Sequence, residues 1–364
     1  MAKTKAATIT DVAKAADVSL GTVSRVLNNY ADVNAEIRAR VLNAARELNY
    51  TRLRQRRSAP AAPAAPTQLG NIAIIIFGME DTLAHLPVIG AALQGIEHAL
   101  AGLGRNIMIA NVPRGDRVPP FLAEKRVDGL ILKGPNQGVL PPEAECELLA
   151  HVYRIPHVWL MGRLENARGD HCNFDTTVAT RLVVQHFRDK GHRRLGFLNP
   201  KPGQTQFERL KTGFMACADR AGCEATILES ERRDPLVWPL PATTQQGNVN
   251  TLVDRWIKLP VKTRPTALFV PSDRAAVQLY SALERRRLRA GVDVSVVSCN
   301  NEMSLVMDLN PAPTAIDVHA DFIGRRTVDQ LLWRMRHPDE PLSVEVLVEP
   351  TLVERDSVVT LDHA

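Results

Sequence analysis

The sequence predicts an α/β protein with a three-helix head and a body of two lobes, each lobe a doubly wound parallel sheet. Three observations lead to this fold class. From residue 69 onward, short apolar runs alternate with amphipathic stretches. The first 60 residues carry 11 Lys and Arg against 5 Asp and Glu, although the whole 364-residue chain has a net charge of only +5. Between these parts, SAPAAPAAPT at 58–67 has the proline content of an extended spacer.

The head is predicted to contain three short helices. Thr10 is a candidate N-cap for the first, because its hydroxyl can accept from a free amide of the first turn. A turn at 17–18 follows, Ser19 caps a second helix from Leu20 to Asn28, and a third helix begins after Asn34. The positions predicted to face inward are Val12, Ala13, Ala16, Val23, Val26, Leu27, Ile37, Val41, Leu42, Ala45 and Leu48. Two helices joined by a tight turn and followed by a third form a helix-turn-helix.

The second helix carries the residues predicted to read DNA. Leu20, Gly21 and Arg25 lie where this helix would meet a major groove. Arg25 can donate two hydrogen bonds to guanine, Leu20 can contact a thymine methyl, and Gly21 permits close approach. The remaining candidates in the head are Thr10, Ser19, Thr22, Ser24 and Asn28. The alternative is a small helical module whose hydroxyls only cap helices, but the basic surplus falls on the same residues and favours a DNA-binding head.

The body alternates between two kinds of segment. Apolar runs without helical period predict strands buried on both faces at 71–77, 106–111, 128–133, 157–161, 194–199, 267–273 and 294–300. Amphipathic stretches predict helices at 89–104, 141–154, 176–191, 207–222 and 274–288. The body, from residue 69 onward, is too long for a single hydrophobic core. We therefore predict two lobes, with a ligand cleft at the carboxyl ends of their strands.

Several classes of protein are excluded by what the sequence lacks. Five scattered cysteines without a C-x-x-C pair indicate neither a disulfide framework nor a zinc site. No stretch reaches the roughly 18 apolar residues of a membrane span, and the N-terminus lacks the apolar core of a secretory signal, so we expect a cytoplasmic protein without membrane contact. Nucleophile-elbow, phosphate-loop, dinucleotide and His-Glu metal motifs are missing, and we expect no enzymatic activity, cofactor or metal.

A resemblance to a known family covers nearly the whole chain. Residues 8–50 contain D-V-A-x-x-A-x-V-S-x-x-T-V-S-R-V-L-N and V-x-x-A-x-x-E-L-N-Y, which resemble the head of the LacI/GalR family of bacterial transcriptional regulators. Further matches are V-D-G-L-I-L at 127–132, G-H-R-R-L at 191–195, P-S-D-R-A-A at 271–276, D-V-S-V-V at 293–297 and L-V-E-R-D-S at 352–357. The resemblance implies a homodimer that binds a near-palindromic operator in double-stranded DNA. It also implies a periplasmic-binding-protein-like body whose cleft takes a small-molecule effector, commonly a sugar or nucleobase.

The segment after the head departs from the family pattern. In the family it forms a hinge helix on DNA and inserts a leucine into the minor groove. Here TRLRQRRSA at 51–59 places Ala59 at that position, and Leu53 is the only apolar candidate. The other candidates in this segment are Arg52, Arg54 and Arg56. These arginines either follow a narrow minor groove or only add nonspecific affinity, and we expect weak operator bending.

Comparison with the family pattern indicates candidates for the effector cleft, namely Asp175, Arg209, Ser272, Asp273 and Asn300, and the proline-containing insert at 234–248 adds Trp238. Asp175 either accepts hydrogen bonds from ligand hydroxyls or caps the helix that follows it. The family's ligand-binding arginine would fall on Leu210, so that Arg209 lies one residue early. We expect Asp273 to cap the following helix rather than bind ligand. Trp238 either stacks on a ligand or packs against the protein.

The sequence therefore predicts a sequence-specific DNA-binding transcriptional regulator, a repressor controlled by a sugar-like molecule in the cleft. One alternative keeps the DNA-binding role with a protein co-effector or no effector, and another is a solute-binding protein. The predicted domains are the helix-turn-helix at 1–50, a basic hinge and Pro/Ala linker at 51–67, and an effector-binding and dimerisation domain at 68–364. Within the last, lobe 1 is predicted at 68–189 and 321–346, and lobe 2 at 190–320 and 347–357.

Overall fold

A computed structural model describes residues 7–27, 33–48, 70–77, 87–113, 115, 117–135, 137–231 and 248–361. The chain divides into two units, Met1–Thr67 and Gln68–Ala364, which we name the head and the body. Six predicted site residues lie outside the described residues, and they are Asn28, Arg52, Leu53, Arg54, Arg56 and Trp238. The predicted hinge and linker at 51–67 also lie outside the described residues.

Three helices form the head: α1 at Ile9–Ala15, α2 at Leu20–Leu27 and α3 at Ala35–Glu47. Their buried side chains form one small core of Val12, Ala13, Ala16, Val23, Val26, Val41 and Ala44. The prediction for α3 was partly wrong, because Leu42 and Leu48 are 38% and 37% exposed. The buried face of α3 runs through Val41 and Ala44, one helical turn apart, whereas Leu42 lies outside this stripe and Leu48 is the C-cap residue after the helix has ended.

The body contains twelve strands among its described residues. They are β1 Asn71–Phe77, β2 Asn106–Val112, β3 Gly129–Lys133, β4 His157–Leu160, β5 Asp170–Phe174, β6 Arg194–Asn199, β7 Glu224–Glu229, β8 Ala267–Phe269, β9 Ser295–Asn300, β10 Thr314–Asp317, β11 Glu345–Val348 and β12 Thr351–Val353. The helices are α4 Pro87–Ala101, α5 Pro120–Ala123, α6 Glu147–Val152, α7 Thr176–Asp189, α8 Thr205–Arg220, α9 Val249–Lys258, α10 Asp273–Glu284, α11 Met303–Val306 and α12 Ala320–Arg336, with a 3-10 turn at Glu143–Glu145.

The strands form two six-stranded sheets, and each sheet defines one lobe. Lobe 1 has the strand order β11-β5-β4-β3-β1-β2, and its neighbouring strands are parallel. Lobe 2 has the order β12-β10-β9-β8-β6-β7 and is parallel except where β12 runs antiparallel to β10. In both lobes the order reverses beside the first strand, between β1 and β3 and between β6 and β8. Such reversals are where open α/β sheets bind ligands.

Helices cover the sheets as the alternating pattern predicts. In lobe 1, α4 packs tightly on α12. Gly95 and Gly324 permit this close approach, because a Cβ at either position would collide with a backbone carbonyl of the facing helix. In lobe 2, α7 packs against α8 and β12. The predicted lobe boundary at 189 therefore falls too late, since α7 belongs to lobe 2 by its packing. The chain crosses between lobes after β5, where the polar Asp175 begins α7.

One predicted strand, β2, is less buried than expected. The run at 106–111 was expected to be buried on both faces, but β2 is the edge strand of lobe 1 and Ile109 is 54% exposed. An edge strand has a neighbouring strand on one side only, so a run of apolar residues does not by itself show that a strand is buried on both faces. The central strands β1 and β3 behave as predicted, with Ile72 to Ile76 and all of β3 buried.

Candidate nucleic-acid interface and effector cleft

The first helix of the head starts earlier than predicted. Thr8, not Thr10, is its N-cap, and its hydroxyl accepts from Asp11 N–H at 3.4 Å. In return the Asp11 carboxylate accepts from Thr8 N–H at 2.8 Å, which completes a capping box. The sequence signal was present as a threonine followed three residues later by an acid. Thr10 instead lies exposed in the first turn of α1.

The face of α2 opposite the core carries the predicted base-reading residues. Leu20 is 49% exposed, and Gly21 and Arg25 are exposed as well, whereas Val23 and Val26 are buried on the other side. A helix with this division can enter a groove without disturbing the head's core. The exposed side of α2 thus carries an apolar side chain and a glycine in its first turn and a guanidinium in its last turn.

The hydroxyls beside this face have internal partners. Ser19 Oγ accepts from Thr22 N–H at 3.1 Å and lies 2.9 Å from Thr22 Oγ1. Ser19 therefore caps α2 as predicted. Ser24 is half-buried, between the exposed and the buried faces. A hydroxyl can donate to a phosphate while its oxygen accepts from the helix, so capping and DNA contact are compatible for Ser19.

A side chain of α3 reinforces the turn between α1 and α2, through a contact that no local sequence pattern indicates. Arg40 donates through Nη2 to the carbonyl oxygens of Ala16 and Asp17, at 2.6 and 3.2 Å. Asp17 has a φ of 50°, in the left-handed region. The bonds satisfy carbonyls that α1 leaves open at its C-terminus, and they tie the turn that orients α2 to the third helix.

In the body, the strand ends at the two order reversals carry polar side chains. Lys133, the last residue of β3, is only 2% exposed, its ammonium donates to Gly134 O at 2.9 Å, and burial lowers its pKa to about 8. Asn199, the last residue of β6, is fully buried and donates to the carboxylates of Glu208 and Glu229 at 3.3 and 3.2 Å. These ends therefore offer an amine from lobe 1 and an amide–carboxylate network from lobe 2. Sequence reasoning missed both, because each polar residue closes an apolar run.

Three predicted cleft residues gather at the ends of β8 and β9. Ser272, rather than Asp273, caps α10 by accepting from Ala275 N–H at 3.3 Å, so the predicted cap was wrong by one residue. Asp273 is fully buried and accepts from Ser298 Oγ and, at 2.7 Å, from Glu302 N–H. An extended backbone at the position before the helix lets Ser272 turn its hydroxyl back onto the first turn.

Burial controls the charge of this cluster. It raises the pKa of Asp273 to about 7, although the hydrogen bonds from Ser298 and from the Glu302 amide act in the opposite direction. Burial also raises the pKa of Glu302, whose Oε1 accepts from Asn300 Nδ2 at 2.8 Å. The cluster therefore combines two carboxyl groups of reduced acidity with an amide, a set that can both donate to and accept from ligand hydroxyls.

The two remaining described candidates lie on other elements. Asp175 caps α7 by accepting hydrogen bonds from the amides of Thr177 and Val178 at 2.8 and 3.1 Å. Helix capping was one of the two roles predicted for this residue. Arg209, on α8, lies 3.5 Å from Glu345 Oε1 of β11 and is 42% exposed.

Among the described residues, no helix combines the length and the apolarity that crossing a membrane requires. Within the same ranges, no three His, Cys, Asp or Glu side chains converge as a metal site would need. All five cysteines are buried and have free thiols.

Comparison with known proteins places these features in a family. Residues 8–52 match the bacterial regulatory proteins of the lacI family, and residues 184–358 match the periplasmic binding protein-like domain. The HTH-type transcriptional repressor PurR of Edwardsiella ictaluri (strain 93-146) is 29% identical over 358 residues, 97% of each chain. The ribose operon repressor of Haemophilus influenzae (strain ATCC 51907 / DSM 11121 / KW20 / Rd) is 27% identical over 360 residues, 98% of this chain and 99% of that protein.

Solved structures share the fold over the same length. The transcriptional regulator CelR–cellobiose complex has a TM-score of 0.64 at 20% identity, covering 96% of this chain and 99% of that chain. The lac repressor dimer bound to operator and the anti-inducer ONPF has a TM-score of 0.59 at 23% identity, covering 98% and 100%. The chain thus combines a helix-turn-helix head of the lacI family of bacterial regulatory proteins with a periplasmic-binding-protein-like body.

Proposed function

We propose that this chain is a cytoplasmic transcriptional repressor that binds a near-palindromic operator as a homodimer and responds to a small, carbohydrate-like effector in the cleft of the body. The observation that carries the proposal is the exposed face of α2, where Leu20, Gly21 and Arg25 lie opposite the buried Val23 and Val26. One head reads too few base pairs for useful specificity, so two heads on one operator are needed. The role is binding, not catalysis.

The proposed control follows from linkage between the cleft and the heads. An effector that prefers one arrangement of the lobes changes operator affinity only by its differential binding, typically about 1–3 kcal/mol. Polar side chains at the ends of β3 and β6, Lys133 and Asn199, and at the start of α10, Asp273, support a ligand rich in hydroxyls or carbonyls. The names of similar proteins mention the ribose operon and a cellobiose complex, and both sugars agree with this class.

The test of the DNA-binding role is selection of bound duplexes from a random library, followed by affinity measurement at several salt concentrations. We expect two half-sites related by two-fold symmetry. Arg25→Ala should relax the preference at one base pair per half-site, at a cost of about 1–3 kcal/mol for the preferred base. Arg46→Ala is the matched control. Arg46 is an exposed arginine of α3, and its substitution removes the same charge, so it should weaken the binding of all duplexes alike. Equal binding of all duplexes by the unchanged protein would refute the proposal.

A second candidate keeps the DNA-binding role but replaces the small effector by a protein co-effector or by none. The observation in its favour is that Asp175, Arg209 and Asp273 are engaged by the protein itself. Isothermal titration with sugars, sugar phosphates and purines separates the two candidates. A cleft that binds none of these compounds would favour the second.

A further inference from the structure

A direct hydrogen bond joins the two lobes of the body. Asn173 lies on β5 of lobe 1, and Gln206 lies in the first turn of α8, which packs beside β6 and β7 of lobe 2. Asn173 Nδ2 donates to Gln206 Oε1 at 3.0 Å. Asn173 is only 1% exposed, so that its amide group would lose a partner in a buried position if the lobes moved apart.

The orientation of this pair is fixed by its neighbours. Phe174 N–H donates to Asn173 Oδ1 at 3.0 Å, which directs Nδ2 toward lobe 2. Gly162 follows β4 with a φ of 91°, and a Cβ at this position would lie 3.3 Å from Asn173 Nδ2. The glycine therefore leaves the space in which the two amides meet.

A second link joins the same elements one helical turn away. Arg209 Nη1 lies 3.5 Å from Glu345 Oε1, and the same oxygen is 2.8 Å from His171 Nε2. Glu345 and His171 belong to β11 and β5 of lobe 1, and Arg209 to α8 of lobe 2. The first two turns of α8 thus contact lobe 1 twice, through Gln206 and through Arg209.

One donor in this contact is left over. Gln206 Oε1 accepts from Asn173, but Gln206 Nε2 is buried and has no hydrogen-bond partner among the described residues. A buried amide donor without a partner is costly, and an oxygen supplied by a bound molecule would remove the cost.

We propose that Gln206 couples lobe closure to effector binding: its Oε1 holds lobe 1 through Asn173, and its Nε2 donates to an oxygen acceptor of the effector. The ligand half of this proposal rests on the proposed function, whereas the lobe contact does not. Two substitutions separate the halves. Gln206→Ala removes both roles, and Gln206→Glu keeps an acceptor for Asn173 but loses the donor.

The lobe contact is tested on the full chain without DNA. Spin labels at Glu147→Cys in α6 and Lys258→Cys in α9 report the distance between lobes, and dilution with unlabelled chain restricts the signal to distances within one chain. Both positions are exposed, and the native cysteines are buried. We expect Gln206→Ala to raise the ratio of open to closed lobes about fivefold, the effect of one lost hydrogen bond. Gln206→Glu and the control Gln185→Ala, an exposed glutamine of α7, should keep the original distribution.

An unchanged distribution in a folded Gln206→Ala protein would overturn the lobe contact. The ligand half is tested by thermal shift with D-ribose, cellobiose and hypoxanthine, which all present oxygen acceptors. We expect at least one to stabilise the unchanged protein and to bind Gln206→Glu at least about fivefold more weakly. Equal affinity in the two proteins, or no stabilisation by any of the three, would overturn the ligand half. Loss of operator binding alone would bear only on the proposed function.

Discussion

A buried ion pair in lobe 1 allows the sharpest prediction about stability. Asp170, at the start of β5, is fully buried and accepts from Arg334 Nη2 at 2.6 Å and from Arg334 Nε at 3.0 Å. Gln330 Nε2 and Val344 N–H add bonds at 2.7 and 2.9 Å. Arg334 also donates to the carbonyl of Leu342 at 2.7 Å. The pair thus joins α12 to β5 and to the chain that leads into β11.

Arg334→Met keeps the apolar stem of the side chain and removes the charge. Asp170 then remains buried with two of its four bonds, and loss of one partner of a buried pair costs about 3–5 kcal/mol. The control is Arg325→Met on the same helix. Arg325 pairs with Asp321 at 2.8 Å, but both side chains are more than 40% exposed, so we expect a loss of about 0.5 kcal/mol or less.

Urea unfolding of the full chain measures both variants. The pH dependence gives a second readout. Burial acts to raise the pKa of Asp170, but the hydrogen bonds from Arg334, Gln330 and Val344 outweigh it and hold the pKa below its usual range. The pair's contribution is therefore present above about pH 4 and is lost as the pH falls through the folded-state pKa. Losses within about 1 kcal/mol of each other for Arg334→Met and Arg325→Met at pH 7 would refute the reasoning.

Three further predictions concern caps, backbone and charge. Thr8→Ala should lower the protection of head amides against hydrogen exchange by about 1 kcal/mol, because the capping box is lost, while Thr10→Ala should change it little; equal effects would contradict the assigned cap. Asp17→Gly should raise that protection by up to about 1 kcal/mol, since glycine adopts the φ of 50° without strain, and a lower protection would show that the aspartate side chain matters more. Asp273→Asn should flatten the decline in the free energy of unfolding between pH 5 and 8. The pKa of Asp273 is raised to about 7, so the folded state holds a proton that the unfolded state releases near pH 4, and the free energy of unfolding falls as the pH rises. Parallel curves of the urea-unfolding free energy against pH for the two proteins would contradict this.

The parts of the fold that follow from local pattern were predictable. Runs such as NIAIIIF and RLGFLN became β1 and β6 with the predicted limits, because their apolar side chains require burial wherever the chain places them. The start of α3 after Asn34 was also predictable, since a side-chain cap depends only on residues within one turn. The capping box at Thr8 is an equally local signal, and the prediction of Thr10 as the N-cap was wrong by two residues.

The missed strands depend on distant partners. β5 reads DHCNF, which is too polar for a buried strand when seen alone. It is buried because Asp170 meets Arg334, His171 meets Glu345 and Asn173 meets Gln206. These partners lie 164, 174 and 33 residues away in the chain, and no local pattern indicates them. The short strands β10 to β12 were missed for a related reason, since three or four residues are too few to show a period.

The positions of the predicted effector residues in lobe 2 follow from the strand pattern, whereas their hydrogen-bonding roles do not. Ser272 and Asp273 begin α10 just after β8, and Asn300 ends the neighbouring β9. Which residue caps the helix and which is buried depends on contacts from elsewhere in the fold. Asp273 is buried because Ser298 Oγ and the Glu302 amide donate hydrogen bonds to its carboxylate. Sequence reasoning therefore located a cluster but exchanged cap and core within it.

The last two strands of the chain, β11 and β12, are separated by two residues and belong to different sheets. Neither lobe is consequently encoded by one continuous stretch of the gene. A stop codon or a protease cut near residue 340 would take one strand from each sheet at once and injure both lobes together. We therefore expect the body to melt in a single transition, and any attempt to express half of it alone to yield an incomplete sheet with an open edge.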